Sequence, residues 1–461
     1  MVLILIEKHK TRIGNIIVGD DNDVIVQSMT NTDTGNINAS VEQIVELAGA
    51  GCQIVRLTCK NIKDAQSLKE IKKSLSEKGI GIPLAADIHF MPKIAEHAAL
   101  YADKIRINPG NYIDKRKSKS SFSDDEIQSQ KNNVKQSLTS LAEICKRNST
   151  SIRIGVNHGS LSERMMFAYG NTAKGMLESA LEFIEIFREL NFHDLVISLK
   201  ASHVPIMIEA NRLMYNEFRN RGFVYPIHLG ITEAGSGMEA RVKSAAGIGS
   251  LLAENIGDTI RVSLTEDPVE EIPFAKKLTA RYAKRKILPM PHSTENLTDD
   301  LELVLNYNNL NEEDLLISTS VDFARLCNIK AYKRLKIFHN GKEQGELADI
   351  ILQALGIKYS KAEFIACPSC GRTQFDIIEE LKKVKEKTSH LKGLKIAVMG
   401  CIVNGLGEMA GADFGYVGAG KGKVDIYKQK LLIAKNIDAE DAVDELVKLI
   451  GQSGQIQEKE N

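Results

Sequence analysis

Between about residue 20 and residue 280 the chain alternates short β-branched runs with longer amphipathic runs, eight times over. Alternation of this kind predicts parallel strands joined by helical crossovers, because parallel neighbours need long connections. The strands read from the sequence are Val24–Ser28, Gln53–Leu57, Ile82–Asp87, Lys104–Asn108, Ile152–Val156, Leu195–Leu199, Ile227–Ile231 and Thr259–Ser263. Between them, apolar residues recur at helical spacing, as in Val41, Ile44, Val45 and Ala48, or Leu177, Leu181, Ile184 and Phe187. Ser40-x-x-Gln43 has the capping-box pattern and predicts the start of the first helix. Eight units over ~260 residues match an α/β fold of the (β/α)8 TIM-barrel type. A doubly wound open sheet is the runner-up, but no G-x-G-x-x-G follows the first strand. The barrel is expected to occupy residues 1–281.

Barrel enzymes keep their chemistry at the C-terminal ends of the strands. There the sequence places Gln27 and Thr30, Arg56, Asp87 and His89, Arg106 and Asn108, and Arg153 and Asn157. Ser198 and Lys200, His228, Thr232 and Glu233, and Arg261 and Ser263 complete the rim. One arginine at a strand end can simply face solvent. Four arginines and a lysine on one rim repel each other unless an anion lies between them. Guanidinium forks match phosphate oxygens, so the implied ligand is a diphosphate or bisphosphate. His97, by contrast, falls on an outer helix and reads as a surface residue.

A different pattern governs residues 361–451. Cys367-Pro-Ser-Cys370-Gly-Arg372 is followed by Gly400-Cys401-Ile-Val-Asn-Gly-Leu-Gly-Glu408. Two cysteines on one turn can hold adjacent corners of a metal centre, and a third can close on it. Thiolates suit zinc or iron–sulfur. The bland alternative is a stray CxxC turn beside an unrelated buried cysteine. A zinc knuckle would show a fourth Cys or His at short spacing, whereas the nearest candidate here is Glu408. Three thiolates and one replaceable carboxylate describe a cluster with a labile iron, which points to catalysis. Around these turns the expected elements are strands Glu363–Ala366 and Leu394–Val398, with antiparallel strands Asp413–Val417, Val424–Tyr427 and Leu431–Ala434. A helix over Thr373–Lys387 would carry Phe375, Ile378 and Leu381 on one face, and Ala439–Ile450 would close the module as a second helix. This is a small α+β domain with a polar tail, 452–461. Gly415-Tyr-Val-Gly-Ala-Gly420-Lys421 approaches a P-loop, but Gly422 replaces the Ser or Thr and a strand follows.

Two stretches carry no catalytic spacing. Residues 282–360 pass from a basic patch through Pro289 and Pro291 to an acidic, Asn-rich run, and read as a small insert or spacer. Asn111–Ser149 reads as an exposed loop, Lys115–Ser123, leading into a helix around Val134–Lys146. Lys+Arg and Asp+Glu both number 60 in 461 residues, so no overall field favours nucleic acid. No run approaches the ~20 apolar residues of a membrane span. The N-terminus lacks the basic flank and cleavage site of a signal peptide. Seven sparse cysteines argue for a reducing compartment, hence a cytoplasmic protein.

Val26-Gln-Ser-Met-Thr-Asn31, Ala86-Asp-Ile-His89, Arg106-Ile-Asn-Pro-Gly-Asn111 and Arg153-Ile-Gly-Val-Asn157 stand in a recognisable order. Ser198-Leu-Lys-Ala-Ser202, His228-Leu-Gly-Ile-Thr-Glu-Ala-Gly235 and Gly257-Asp-Thr-Ile-Arg-Val-Ser263 continue it, ahead of the two cysteine motifs. Together they resemble the 4-hydroxy-3-methylbut-2-enyl diphosphate synthases of the non-mevalonate isoprenoid pathway. The resemblance covers barrel and cysteine module and leaves mainly 282–360 unmatched. Asn157-His-Gly-Ser160 and Asp413-Phe-Gly-Tyr-Val417 look closer to the insert-bearing plant and chlamydial form, although the insert here is shorter. One departure is Leu406, where the family usually has proline; its loss removes a constraint on the loop carrying Glu408.

The resemblance implies a [4Fe-4S] cluster on Cys367, Cys370, Cys401 and Glu408. It also implies the substrate 2-C-methyl-D-erythritol 2,4-cyclodiphosphate, reductively opened and dehydroxylated, with ferredoxin or flavodoxin as donor. Arg56, Arg106, Arg153, Lys200 and Arg261 would then clamp the diphosphate, with Asn157, Thr232 and Ser263 adding hydrogen bonds. Glu233 is the candidate acid for the departing hydroxyl. Asp87, His89 and His228 are second choices for proton transfer or positioning. A zinc or imine-forming barrel enzyme built on Lys200, and an iron–sulfur sensor of nucleic acid, are the alternatives. The short insert favours a homodimer in which the cysteine module docks on the partner's barrel.

Overall fold

Parallel strands close into a ring: β1 (Ile25–Met29), β2 (Ile54–Cys59), β3 (Leu84–Ile88), β4 (Lys104–Ile107), β5 (Ser151–Asn157), β6 (Leu195–Lys200), β7 (His228–Leu229) and β8 (Thr259–Ile260). Their order is β7-β8-β1-β2-β3-β4-β5-β6. A parallel bridge between Ile197 and Ile227 completes the circle. β3 to β6 are buried along their whole length, as expected of strands covered on both faces. The short antiparallel strands Thr11–Ile13 and Ile16–Val18 plug the bottom, where Ile13 and Val18 pack with Ile25, Ile54, Ala85 and Val196. That leaves the C-terminal mouth as the end where polar groups gather. The computed structural model describes residues 6–19, 22–113, 121–283, 293–296, 301–402 and 407–453. Leu406, residues 115–120 and the tail from 454 onward lie outside the described residues.

Local signals explain where helices begin. The first, Ile37–Ala50, is capped by Asn36, whose side chain accepts from the Ala39 amide, so the Ser40 capping box is overturned. Ser40 instead donates to the Asp33 carbonyl, and Gln43 accepts from the Asn31 amide, tying the helix to the loop after β1. A true capping box occurs at Ser123 and Glu126, and it starts a helix longer than expected, Asp124–Asn148.

Residues 301–355 are an added layer rather than a loose spacer. β9 (Glu302–Tyr307) and β10 (Arg334–His339) pair in parallel. With the helices Glu312–Cys327 and Gly345–Ala354 they share one continuous apolar core with the barrel. The C-terminal sheet follows as β11 (Glu363–Ala366), β12 (Lys395–Met399), β13 (Phe414–Gly420), β14 (Lys423–Lys428) and β15 (Leu431–Asp438). The first three strands are parallel and the last three antiparallel, over a separate core. Its first helix is Ile377–Thr388, four residues later than expected, because Asp376 caps it by accepting from the Ile378 and Glu379 amides. Ile378 is consequently 42% exposed, and Phe375 lies ahead of the helix, edge-on to Tyr416. The glycines of the P-loop-like run lie on β13, with no helix behind them.

The added layer returns the chain to its own barrel mouth. Lys243 and Glu239, on a helix after β7, pair with Glu363 and Lys361 at 3.3 and 3.1 Å. The Ala366 amide donates to the Glu233 carbonyl at 3.2 Å, with a parallel bridge between Ala234 and Ala366. On the opposite rim, a Cβ on Gly159 would lie 2.0 Å from the Gly407 carbonyl oxygen, so the two loops meet at backbone distance. Docking on a partner's barrel is therefore corrected to docking within one chain. Mixing inactive Lys200→Ala chains with inactive Glu408→Ala chains is expected to restore no activity after subunit exchange. Random pairing of shared sites would restore about a quarter, and recovery on that scale would overturn the intrachain arrangement.

Candidate functional site

The mouth of the barrel and the underside of the C-terminal sheet face each other across a cavity. Arg56, Asp87, Arg106, Arg153, Asn157, Lys200, Thr232, Glu233, Arg261 and Ser263 line it from the barrel. Cys367, Cys370, Arg372 and Cys401 line it from the other side. Of the residues expected at the site, His89 and His228 are absent from this lining. His89 stands behind Arg106, with Nε2 2.9 Å from its Nη1, while Asn111 meets the other ring nitrogen at 3.1 Å. His228 is fully buried, with Nδ1 2.6 Å from the Thr259 hydroxyl. Glu408 lines the adjoining cleft together with His158, Gly159, Gly407 and Met409. Its Oε1 accepts from Asn157 Nδ2 at 2.8 Å. His97, on the helix Pro92–Ala98, is half-buried and binds the Lys93 carbonyl.

The cations are unequally satisfied. Arg261 is paired with Glu271 at 2.9 and 3.1 Å, a partner from the helix after β8 that no local motif announced. Arg106 bonds Asp87, the Gly155 carbonyl and Asn157. Arg56 has the Met29 thioether at 2.9 and 3.1 Å as its acceptor, a weak one. Arg153 is 1% exposed, and its Nε and Nη1 have no hydrogen-bond partner among the described residues. Burial, then the charges of the surrounding arginines, push the affinities of Lys200 and Arg153 for their protons well down. Burial likewise lowers Arg56 to about 10. Crowded, dehydrated cations of this kind are stabilised by an anion among them.

The carboxylates divide into two kinds. Burial would raise Asp87, but Arg56, His89 and Arg106 outweigh it and hold the group well below the ordinary carboxylate range. Burial raises Glu233, against the pull of Thr232, Lys200 and Arg261. Glu408 is raised well above its usual value by burial and then by the charge of Glu233 beside it. Asp87 is thus held in its ionised form, whereas burial favours the protonated form of Glu233 and Glu408.

The cysteines form the third group. None of the seven in the chain is in a disulfide. Burial and then the neighbouring Cys401 and Cys370 push the Cys367 thiol well up, so three thiolates here need a cationic centre. The Gly400 amide donates to Cys367 Sγ at 3.2 Å. Among the described residues no three His, Cys, Asp or Glu side chains converge as ligands of a single metal ion. Arg372 is the residue that sequence reasoning left without a role. It donates to Asp87 across the domain seam at 3.2 Å.

Fold and site define a class: a (β/α)8 barrel whose mouth is roofed by a cysteine-bearing C-terminal domain. Two family models divide the chain along the same line. The GcpE TIM-barrel domain matches residues 8–276, and the GcpE protein C-terminal domain matches residues 363–452. The 4-hydroxy-3-methylbut-2-en-1-yl diphosphate synthase (ferredoxin) of Prochlorococcus marinus subsp. pastoris is 41% identical over 455 residues, covering 97% of this chain and 94% of its own. The flavodoxin-type synthase of Bacteroides fragilis is 35% identical over 604 aligned residues, covering 98% of this chain and 96% of its own. The chain belongs to the 4-hydroxy-3-methylbut-2-en-1-yl diphosphate synthase family, which is a family of iron–sulfur enzymes. The imine-forming and nucleic-acid-sensing alternatives give way to that finding.

Proposed function

We propose that the cavity between barrel and C-terminal domain is the active site for the family reaction. In it 2-C-methyl-D-erythritol 2,4-cyclodiphosphate is opened and dehydroxylated to (E)-4-hydroxy-3-methylbut-2-enyl diphosphate. The observation that carries this reading is the facing of cations and cysteines across one enclosed space. Arg56, Arg106, Arg153 and Lys200 would hold the diphosphate, with Asn157, Thr232 and Ser263 as hydrogen-bond donors. Arg261, which is paired with Glu271, would add a further positive charge to that clamp. His89 and His228 fit positioning roles, the first behind Arg106 and the second buried against the Thr259 hydroxyl.

Cys367, Cys370, Cys401 and Glu408 would hold a [4Fe-4S] cluster. Such a group supplies single electrons and a Lewis-acidic iron to the substrate's oxygen. Glu408, which accepts from Asn157, would be the one carboxylate in that ligand set. Glu233 would give its proton to the departing hydroxyl, so that water rather than hydroxide leaves. The roof of the C-terminal sheet keeps bulk water out and strengthens every charge interaction beneath it. Reduced ferredoxin or flavodoxin is the donor that this reading requires, as in the relatives' names. Cysteines in no disulfide support a cytoplasmic setting. Among the described residues no helix is long and apolar enough to cross a membrane.

Lys200→Ala and Arg106→Ala test the clamp. Each is expected to weaken substrate binding by about 1.5–3 kcal/mol, the scale of a hydrogen bond to a charged group. Iron content should not change. Calorimetry giving wild-type affinity for both variants would move the diphosphate away from the barrel mouth.

A further inference from the structure

Asp87 sits where barrel and cysteine module meet, and its carboxylate is divided between them. Oδ1 accepts from Arg106 Nη1 at 3.2 Å, and Oδ2 accepts from Arg372 Nη1 at 3.2 Å. Arg372 Nη2 also donates to the Asp87 carbonyl at 3.2 Å. Arg372 follows Cys370 by two residues and is buried, so the cysteine turn is fastened to β3 at two points by one rigid fork. Arg106 reaches the other side of the seam as well. Its Nη2 donates to Asn157 Oδ1 at 3.3 Å, and Asn157 donates to Glu408. Arg372, Asp87, Arg106, Asn157 and Glu408 therefore form one connected path. It ties both cysteine-module loops to a single cation in the cavity wall.

We propose that Arg372 is a positioning residue that couples anion occupancy of the barrel mouth to the seating of the cysteine module, with Asp87 as the shared carboxylate. The proposal rests on the reading of the barrel mouth as an anion site. A phosphate oxygen drawn to Arg106 competes with Asp87 for the same guanidinium. As that bond weakens, the Asp87 carboxylate is left more fully to Arg372, whose grip on β3 tightens. The module is then held most firmly when the anion is in place. By reciprocity, a seated module raises the affinity for the anion by the same factor. A structural salt bridge alone would hold the seam equally with and without ligand.

The test uses oxygen-free holoenzyme with inorganic pyrophosphate as the probe. Hydrogen exchange is followed at the seam amides of Ala366, Cys370 and Thr373, and calorimetry measures pyrophosphate binding. In the wild type, saturating pyrophosphate is expected to slow seam exchange about tenfold, inside the usual range of coupling between sites. In Arg372→Met the probe should still bind, several-fold more weakly, and the slowing should vanish. Asp87→Asn keeps the shape of the residue and its carbonyl, and should also lose most of the slowing. Wild-type slowing in both variants would overturn the proposal. Should Arg372→Met fail to fold, undiminished slowing in Asp87→Asn overturns it alone. Pyrophosphate that binds the wild type without slowing seam exchange refutes the coupling and leaves the anion site standing. Pyrophosphate that does not bind the wild type at all removes the anion site and the coupling together.

Discussion

Alanine at Cys367, Cys370 or Cys401 is expected to abolish iron binding and turnover together, whereas alanine at Glu408 should spare most of the iron and lose nearly all turnover. The three thiols line one cavity and repel one another as thiolates, so each metal-bound sulfur offsets a cost that the others impose. With one sulfur gone, the centre keeps too few soft ligands. Glu408 is different in kind. In the structure its carboxyl accepts from Asn157 and stands beside Glu233, at the edge of the cysteine-lined cavity. It can therefore be removed while three thiolates stay in place. Turnover should nonetheless fall at least ~10²-fold, the scale of losing one positioned catalytic group. Iron and acid-labile sulfide assays beside steady-state rates separate the two classes. Near-normal turnover in Glu408→Ala would show that it is neither ligand nor gate, and stoichiometric zinc without sulfide would sink the cluster.

The barrel was legible because its signal is repetitive. Each of the eight expected strands overlaps an observed one, and errors at their ends stay within a few residues. β7 and β8 shrink to His228–Leu229 and Thr259–Ile260, since the segments beyond them bend into the mouth to present Thr232, Glu233, Arg261 and Ser263. Helix starts were less legible where two cap residues compete. Asn36 wins over Ser40, and Asp376 starts its helix four residues after the expected Thr373, because caps are settled by which side chain reaches the free amides, a matter of backbone direction. Charge partners were hidden for another reason. Glu271 lies ten residues beyond Arg261, and Arg372 lies 285 residues from Asp87, so no spacing rule joins them. Arg372 had one usable signal, an arginine two residues after a cysteine pair in a domain that must reach an anionic or polar surface. The intrachain docking was misjudged from insert length alone. Length does not decide where a chain returns; the packing of 301–355 on the barrel does.

Replacing Glu233 with glutamine is expected to cut kcat by about 10²–10⁴-fold, the range for removing a positioned general acid. Glu233 has φ +50°, a left-handed conformation that costs a non-glycine residue roughly 1–2 kcal/mol. Its carbonyl accepts the Ala366 amide, so docking of the C-terminal sheet holds the strained residue in place. The residue is 6% exposed, and burial raises the proton affinity of its carboxyl despite the cations around it. A carboxyl that keeps its proton can supply it when a hydroxyl departs, which an ionised one cannot. The sign of the pH dependence follows. As pH rises through the raised value, the acid form is lost and the wild-type rate should fall. Glutamine preserves the shape and one hydrogen-bond acceptor but has no proton to give. The variant should therefore keep its iron and most of its substrate affinity, and lose both the rate and this alkaline limb. A glutamine variant with near-normal kcat, or one whose alkaline limb matches the wild type, would assign the proton to another group.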